Sequence, residues 1–200
     1  GIKPAALREY YQMSAAQKRL FVLHQLDADS LSYNIPALLI AEGDLRREKF
    51  EETFRELIQR HESLRTSFEI VDGESIQRIC PSVEFQVEYG EMEDLEAADS
   101  NLRLQDPRLQ SVIRGFIRPF ALHQAPLLRA GLIKLAGGKH LVMVDMHHII
   151  SDGASMAILI RDFIDLYNGR ELPKLALQYK DYAVWQNELQ KTGRIKQQEQ

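Results

Sequence analysis

The sequence predicts an α/β fold of the α+β kind: a two-layer sandwich with helices packed on a mixed, largely antiparallel sheet. Three observations predict it. Short apolar runs alternate with period two, and two pairs of them flank Asp72-Gly73 and Gly137-Gly138, residue pairs suited to hairpin turns. Other apolar residues recur at helical spacing. Strand-like and helix-like segments are interleaved along the chain, which favours one sheet with helices laid on it. At 200 residues, one domain or one lobe of a larger one is expected.

Taken in order, Ser14-Ala15-Ala16-Gln17 has the spacing of a capping box, in which Ser14 and Gln17 reciprocally satisfy free backbone amides. The helix it opens should end near Leu26 and turn Leu20, Leu23 and Phe21 inward. Tyr33 to Ala41 reads as a strand, interrupted early by Pro36. Asp44 is placed to cap a second helix carrying Phe50, Phe54, Leu57 and Ile58. Arg65–Val71 and Glu74–Ile79 form the first hairpin, and Phe85, Val87 and Tyr89 alternate as a further short strand. Residues 91–118 begin polar and acidic and become helical around Leu109, Ile113 and Phe116. Leu127–Leu135 and Lys139–His147 form the second hairpin. Along its second arm Val142, Val144, Met146 and His148 share one face, and Leu141, Met143, Asp145 and His147 the other. A third helix from about Ala154 to Asn168 should bury Ala157, Ile160, Ile164 and Tyr167, with Gly169 and Pro173 ending it. A fourth, Tyr179–Leu189, carries Trp185, after which residues 190–200 turn polar and stop without the look of a finished domain.

Composition excludes several classes. A net charge of -4 argues against a nucleic-acid partner, which calls for a basic face. No apolar run approaches the roughly 18 residues of a membrane helix, and residues 1–4 do not open a secretion signal. The single cysteine, Cys80, cannot form an intrachain disulfide, which fits the reducing cytoplasm. With Pro81 after it and no base beside it in sequence, it reads as structural.

The chemistry concentrates in His147-His148-Ile149-Ile150-Ser151-Asp152-Gly153, on a strand-to-helix connection where rigid elements position a loop. Histidine moves protons near neutral pH, and an aspartate nearby can fix its surroundings, so the stretch reads as an acyl-transfer site. The two imidazoles diverge on a strand, and His-Glu-x-x-His is absent, so no metal is expected. Ser151 is conceivable as a nucleophile, but the Gly-x-Ser-x-Gly elbow is missing, and Ser151 or Asp152 is more simply the next helix's N-cap.

His147-His148-x-x-x-Asp152-Gly153 resembles the HHxxxDG signature of condensation domains of nonribosomal peptide synthetases, which share their fold with chloramphenicol acetyltransferase. Four other stretches are similar to the family's motifs, in family order: residues 14–20, 60–68, 126–129 and 179–186. One departure is Ala154, where the family often has tryptophan. The resemblance implies that residues 1–200 are the N-terminal, chloramphenicol-acetyltransferase-like lobe of a condensation domain, the C-terminal lobe lying outside this chain. It implies peptide-bond formation: a donor peptidyl carrier protein presents an acyl or peptidyl thioester, and an acceptor carrier presents an aminoacyl thioester whose amine attacks it. Both substrates arrive on phosphopantetheine arms, no cofactor being bound covalently to this chain, and an adenylation domain is the expected neighbour.

By the same resemblance His148 is the catalytic histidine, acting either as proton acceptor or by orienting the amine and stabilising the tetrahedral state. Asp152 is structural, and Arg65, with Arg60 as runner-up, is its expected arginine partner. His147 supports the loop, while Ser151 and Gly153 line the substrate's path, Gly153 permitting close backbone approach. Gly153 and His147 point to the subtype joining an L-donor to an L-acceptor rather than to epimerisation or cyclisation. Two rivals stand beside this reading: a non-catalytic carrier-docking lobe, and a free-standing HxxxD acyltransferase using acyl-coenzyme A.

Overall fold

A computed structural model describes residues 1–95 and 106–193. The end of the acidic stretch before residue 106 and the polar tail from 194 lie outside the described residues. Among the described residues, seven strands and five α-helices follow in order: β1 (Tyr11–Gln12), α1 (Ala15–Leu26), β2 (Asn34–Glu42), α2 (Arg47–Arg60), β3 (Thr66–Val71), β4 (Glu74–Ile79), β5 (Glu88–Met92), α3 (Pro107–Phe116), β6 (Leu128–Leu135), β7 (Lys139–His147), α4 (Gly153–Tyr167) and α5 (Tyr179–Lys191). The expected mixed, largely antiparallel character is present, divided between a three-stranded sheet, β1-β4-β3, and a four-stranded sheet, β2-β7-β6-β5. Among the described residues, only β5–β6 is parallel.

Both hairpins form where the turn residues placed them. Asp72 and Gly73 take positive φ (52° and 80°), the conformation of a primed two-residue turn, and Val71 pairs with Glu74. The second hairpin turns through a short 3-10 segment, Ala136–Gly138, with both glycines at positive φ. Pro36, without an N–H, sits in β2 at the sheet edge, where a missing donor costs least.

Alternation along β7 divides the core. Val142, Val144 and Met146 pack with Phe50, Phe54 and Leu57 of α2 and Leu159 and Phe163 of α4. Leu141 and Met143 pack with Leu109 and Phe116 of α3 on the opposite face. Phe50, Phe54 and Phe163 meet with centroids 4.8–5.3 Å apart, the spacing of favourable edge and offset contacts. Gly131 lets α3 close on the sheet, since a Cβ there would lie 2.6 Å from Met143 Cε and 3.1 Å from Phe116.

Several local expectations are corrected. α2 begins at Arg47 with Arg46 as an N-cap that makes no side-chain bond, so Asp44 does not cap it. The buried stripe of α1 is Gln17, Phe21 and His24, with Leu20 and Leu23 only half-buried. β5 starts at Glu88, so Phe85 and Val87 reach the core from the extended segment before it. In α4, Ile160 and Ile164 are exposed, and the inward face is Met156, Leu159, Phe163 and Leu166. The apolar residues of α4 nearly encircle it, so spacing alone does not select a face.

Candidate active site

β7 delivers the His pair to the sheet's end, and the chain turns at once. The His147 N–H donates to Leu127 O (3.1 Å), and the Ile150 N–H to His147 O (3.1 Å). Inside this turn the Ile149 N–H donates to His147 Nδ1 (3.0 Å). An N–H needs a lone pair to receive it, so the His147 ring is neutral with its proton on Nε2. His147 is buried against His24 (centroids 5.7 Å apart) and Phe120 (6.3 Å). Burial first, then His24 and His148, push its pKa down to about 4. It is a neutral structural imidazole.

His148 is its opposite. Its amide donates to Tyr33 O (2.7 Å), anchoring the turn to the residue before β2. Its ring is exposed, and Nδ1 lies 2.8 Å from Ser151 O. A carbonyl only accepts, so Nδ1 carries the proton, and the neutral ring keeps its lone pair on Nε2. His148 borders a hollow of about 140 Å³ whose walls include Ala16, Gln17 and Leu20 of α1, Ser155 of α4 and Tyr179 of α5. Those walls are joined: Ser14, the N-cap of α1, shares a 3.0 Å hydrogen bond with the Tyr179 hydroxyl.

Asp152 is the N-cap of α4, its Oδ1 accepting from the Ser155 amide (2.8 Å) and hydroxyl (2.7 Å). Those bonds hold its carboxyl below the usual carboxylate range. The expected pairing with Arg65 is not found. Arg65 Nη1 donates to Cys80 O (2.6 Å), and Arg65 Nη2 lies 3.8 Å from Glu62. Arg60 is committed elsewhere, its Nε donating to Asp162 (2.9 Å), which His61 Nε2 also meets at 2.9 Å. The physical reason is competition for partners: Arg65 ends a 3-10 turn leading into β3, where the Cys80 carbonyl and Glu62 take up its guanidinium, while Ser155 takes up the Asp152 carboxylate.

Ser151 is buried, its carbonyl engaged by His148 and its hydroxyl 3.5 Å from Asp152 O. Gly153 opens α4 without a positive φ, and a Cβ there would meet nothing within 4 Å. Among the described residues, then, no contact demands glycine at 153. Two supports of the site carry no signal in the sequence: Tyr33, which contributes a backbone carbonyl, and Ser155, which holds the Asp152 carboxylate. Ser14 and Tyr179 are legible as helix starts, not as parts of the wall around the hollow. Among the described residues, no group of three or more His, Cys, Asp or Glu side chains is placed to hold a metal, and no helix is long and apolar enough to cross a membrane.

Fold and site define an α/β unit with helices on both faces of its four-stranded sheet, presenting an exposed imidazole where a central strand meets a helix. A family model described as "Condensation domain" matches residues 7–200, and the chain belongs to that family. It is 47% identical over 198 residues to bacitracin synthase 3 of Bacillus licheniformis, covering 99% of this chain and 3% of that protein. It is also 47% identical over 188 residues to tyrocidine synthase 3 of Brevibacillus parabrevis, covering 94% of this chain and 3% of that one. The likeness to nonribosomal peptide synthetases carried by the motifs therefore holds. Among solved structures, the X-domain in its complex with OxyB from teicoplanin biosynthesis matches with a TM-score of 0.82 at 24% identity, over 97% of this chain and 41% of that one. The first condensation domain of the calcium-dependent antibiotic synthetase matches with a TM-score of 0.70 at 22% identity, over 84% and 40%. At these identities the likeness shows the fold. The chain spans 3% of the length of those two curated relatives and 40–41% of those solved chains.

Proposed function

We propose that this chain is the N-terminal lobe of a condensation domain that joins a carrier-bound acyl or peptidyl donor to a carrier-bound aminoacyl acceptor, with His148 as proton acceptor. The acceptor amine attacks the donor thioester carbonyl. A C–N bond forms, the C–S bond breaks, and the phosphopantetheine thiolate of the donor carrier leaves. The amine's proton passes to His148 Nε2 and then to that thiolate. The carrying observation is the 2.8 Å bond from His148 Nδ1 to Ser151 O, which leaves Nε2 as the basic nitrogen beside the hollow. Much of the rate comes from holding two tethered substrates together.

Ser151, which borders the hollow, and Gly153, where an added Cβ would meet nothing within 4 Å, line the substrate's path. Asp152 and His147 support the turn, and Arg65 supports the neighbouring β3–β4 hairpin rather than Asp152. A C-terminal lobe closes the site, an adenylation domain supplies substrate in the same synthetase, and the lobe alone turns over poorly. The L-to-L subtype is supported by His147 and Gly153 in the signature, and a cytoplasmic setting by the lone cysteine.

The test is His148→Ala in the complete domain, with both carriers loaded and product formed in a single turnover. We expect a loss of about a hundredfold or more, the scale of general-base catalysis. An unchanged rate favours the carrier-docking reading. Product from acyl-coenzyme A with no carrier present favours the free-standing acyltransferase.

A further inference from the structure

Asp145 lies two residues before the His pair on β7, its side chain wholly buried. One oxygen, Oδ2, accepts from Asn34 Nδ2 (2.7 Å) and Arg129 Nη1 (3.0 Å), while Oδ1 has no hydrogen-bonding partner, and neither has Asn34 Oδ1. Burial pushes the carboxyl up, against the pull of Asn34 and Arg129. A buried ion pair with two orphan oxygens is a poor source of stability, so its place in the fold calls for another reason.

Its contacts supply one. Asn34 also donates to Arg118 O (3.0 Å), and the residue before it, Tyr33, provides the carbonyl that holds the His148 amide. Arg129 donates to Arg118 O and Pro119 O (2.6 Å each), pinning residues 118–120 to the sheet. Its guanidinium lies 3.6 Å from the Phe120 ring centroid, and Phe120 packs edgewise on His147. His147 in turn receives the Ile149 N–H.

We propose that Asp145 is a positioning residue for the condensation chemistry, fixing the His147–Ile150 turn through Asn34 and Tyr33 on one side and through Arg129, Phe120 and His147 on the other. This rests on the reading of His148 as the proton acceptor. Asp145 touches no substrate. It acts on where the His148 ring stands.

Three variants test it: Asp145→Asn, Asp145→Leu combined with Arg129→Met, and Asn34→Ala, which leaves the ion pair in place. In the complete domain each is expected to lower kcat by about ten- to a hundredfold with KM for either loaded carrier little changed, as for a misplaced catalytic group. In this chain, hydrogen exchange of the His148 amide should quicken at least about tenfold while amides in the middle of β6 and β7 keep their protection. Folded variants with the parent kcat and the parent His148 exchange overturn the proposal. Should the Asp145 variants not fold, Asn34→Ala alone decides, and parent-like exchange there overturns it. Should His148→Ala prove fully active, the functional reading fails, while the exchange measurement still decides whether Asp145 holds the turn.

Discussion

At position 147 the imidazole is buried and gives its Nδ1 lone pair to the Ile149 amide; at 148 it is exposed and spends its Nδ1 proton on Ser151 O. The first arrangement has a pH consequence. The His147 pKa is about 4 in the fold and near 6.5 when the chain is unfolded. Between those values the unfolded chain binds the extra proton, so this contribution to stability is complete above about pH 6.5 and is lost as pH falls towards 4. His24 and His61, also lowered chiefly by burial, act in the same direction. Urea unfolding at about pH 7.5, 6 and 5 should show a falling free energy, and His147→Asn, which keeps an acceptor for Ile149, should flatten the curve. The adjacent pair and the downstream Asp-Gly were legible as a candidate site from their residue types on a strand-to-helix connection, and the divergence of the two rings from strand alternation. Which nitrogen of each ring carries the proton depends on Ile149 and Ser151 backbone groups, and these carry no signature in the sequence.

Helix ends decide how the site's walls stand. Asp152, read as half of a buried ion pair, would cost about 3–5 kcal/mol on removal. As the N-cap of α4, with its carboxylate bonded to the amide and hydroxyl of Ser155, Asp152→Ala should cost about 1 kcal/mol and Asp152→Asn much less. In a double-mutant cycle Asp152→Ala and Arg65→Ala should couple by less than about 0.5 kcal/mol, measured by urea unfolding; a larger coupling would restore the pairing that this geometry denies. The capping box of α1 and both hairpins were legible because each is written in two to four consecutive residues. The buried face of α4 was not, because Ile158, Ile160 and Ile164 are exposed beside Leu159 and Phe163, and only the position of α2 selects among them.

Across the whole molecule, Asp162 joins parts far apart in sequence. It receives Arg60 and meets His61 at the end of α2, Arg60 Nη1 also donates to Pro173 O (2.6 Å), and Gln178 Nε2 donates to Arg60 O (3.0 Å) just before α5. Removing this nearly inaccessible carboxylate strands its partners, so Asp162→Ala should destabilise the chain by about 3–5 kcal/mol, read by chemical denaturation. Ile164→Lys, at an exposed position of the same helix, should cost under about 0.5 kcal/mol. The α/β class, the hairpins and the family were legible from local pattern and motif order, while the division into two sheets and the true partners of Arg60 and Arg65 were not, since long-range packing sets them. The proposed function converges on one nitrogen. Long-range ¹⁵N–¹H spectra of the neutral histidine rings observe it directly: His148 should carry its proton on Nδ1 and leave Nε2 bare, and a ring protonated on Nε2 alone would contradict the proposed role as proton acceptor.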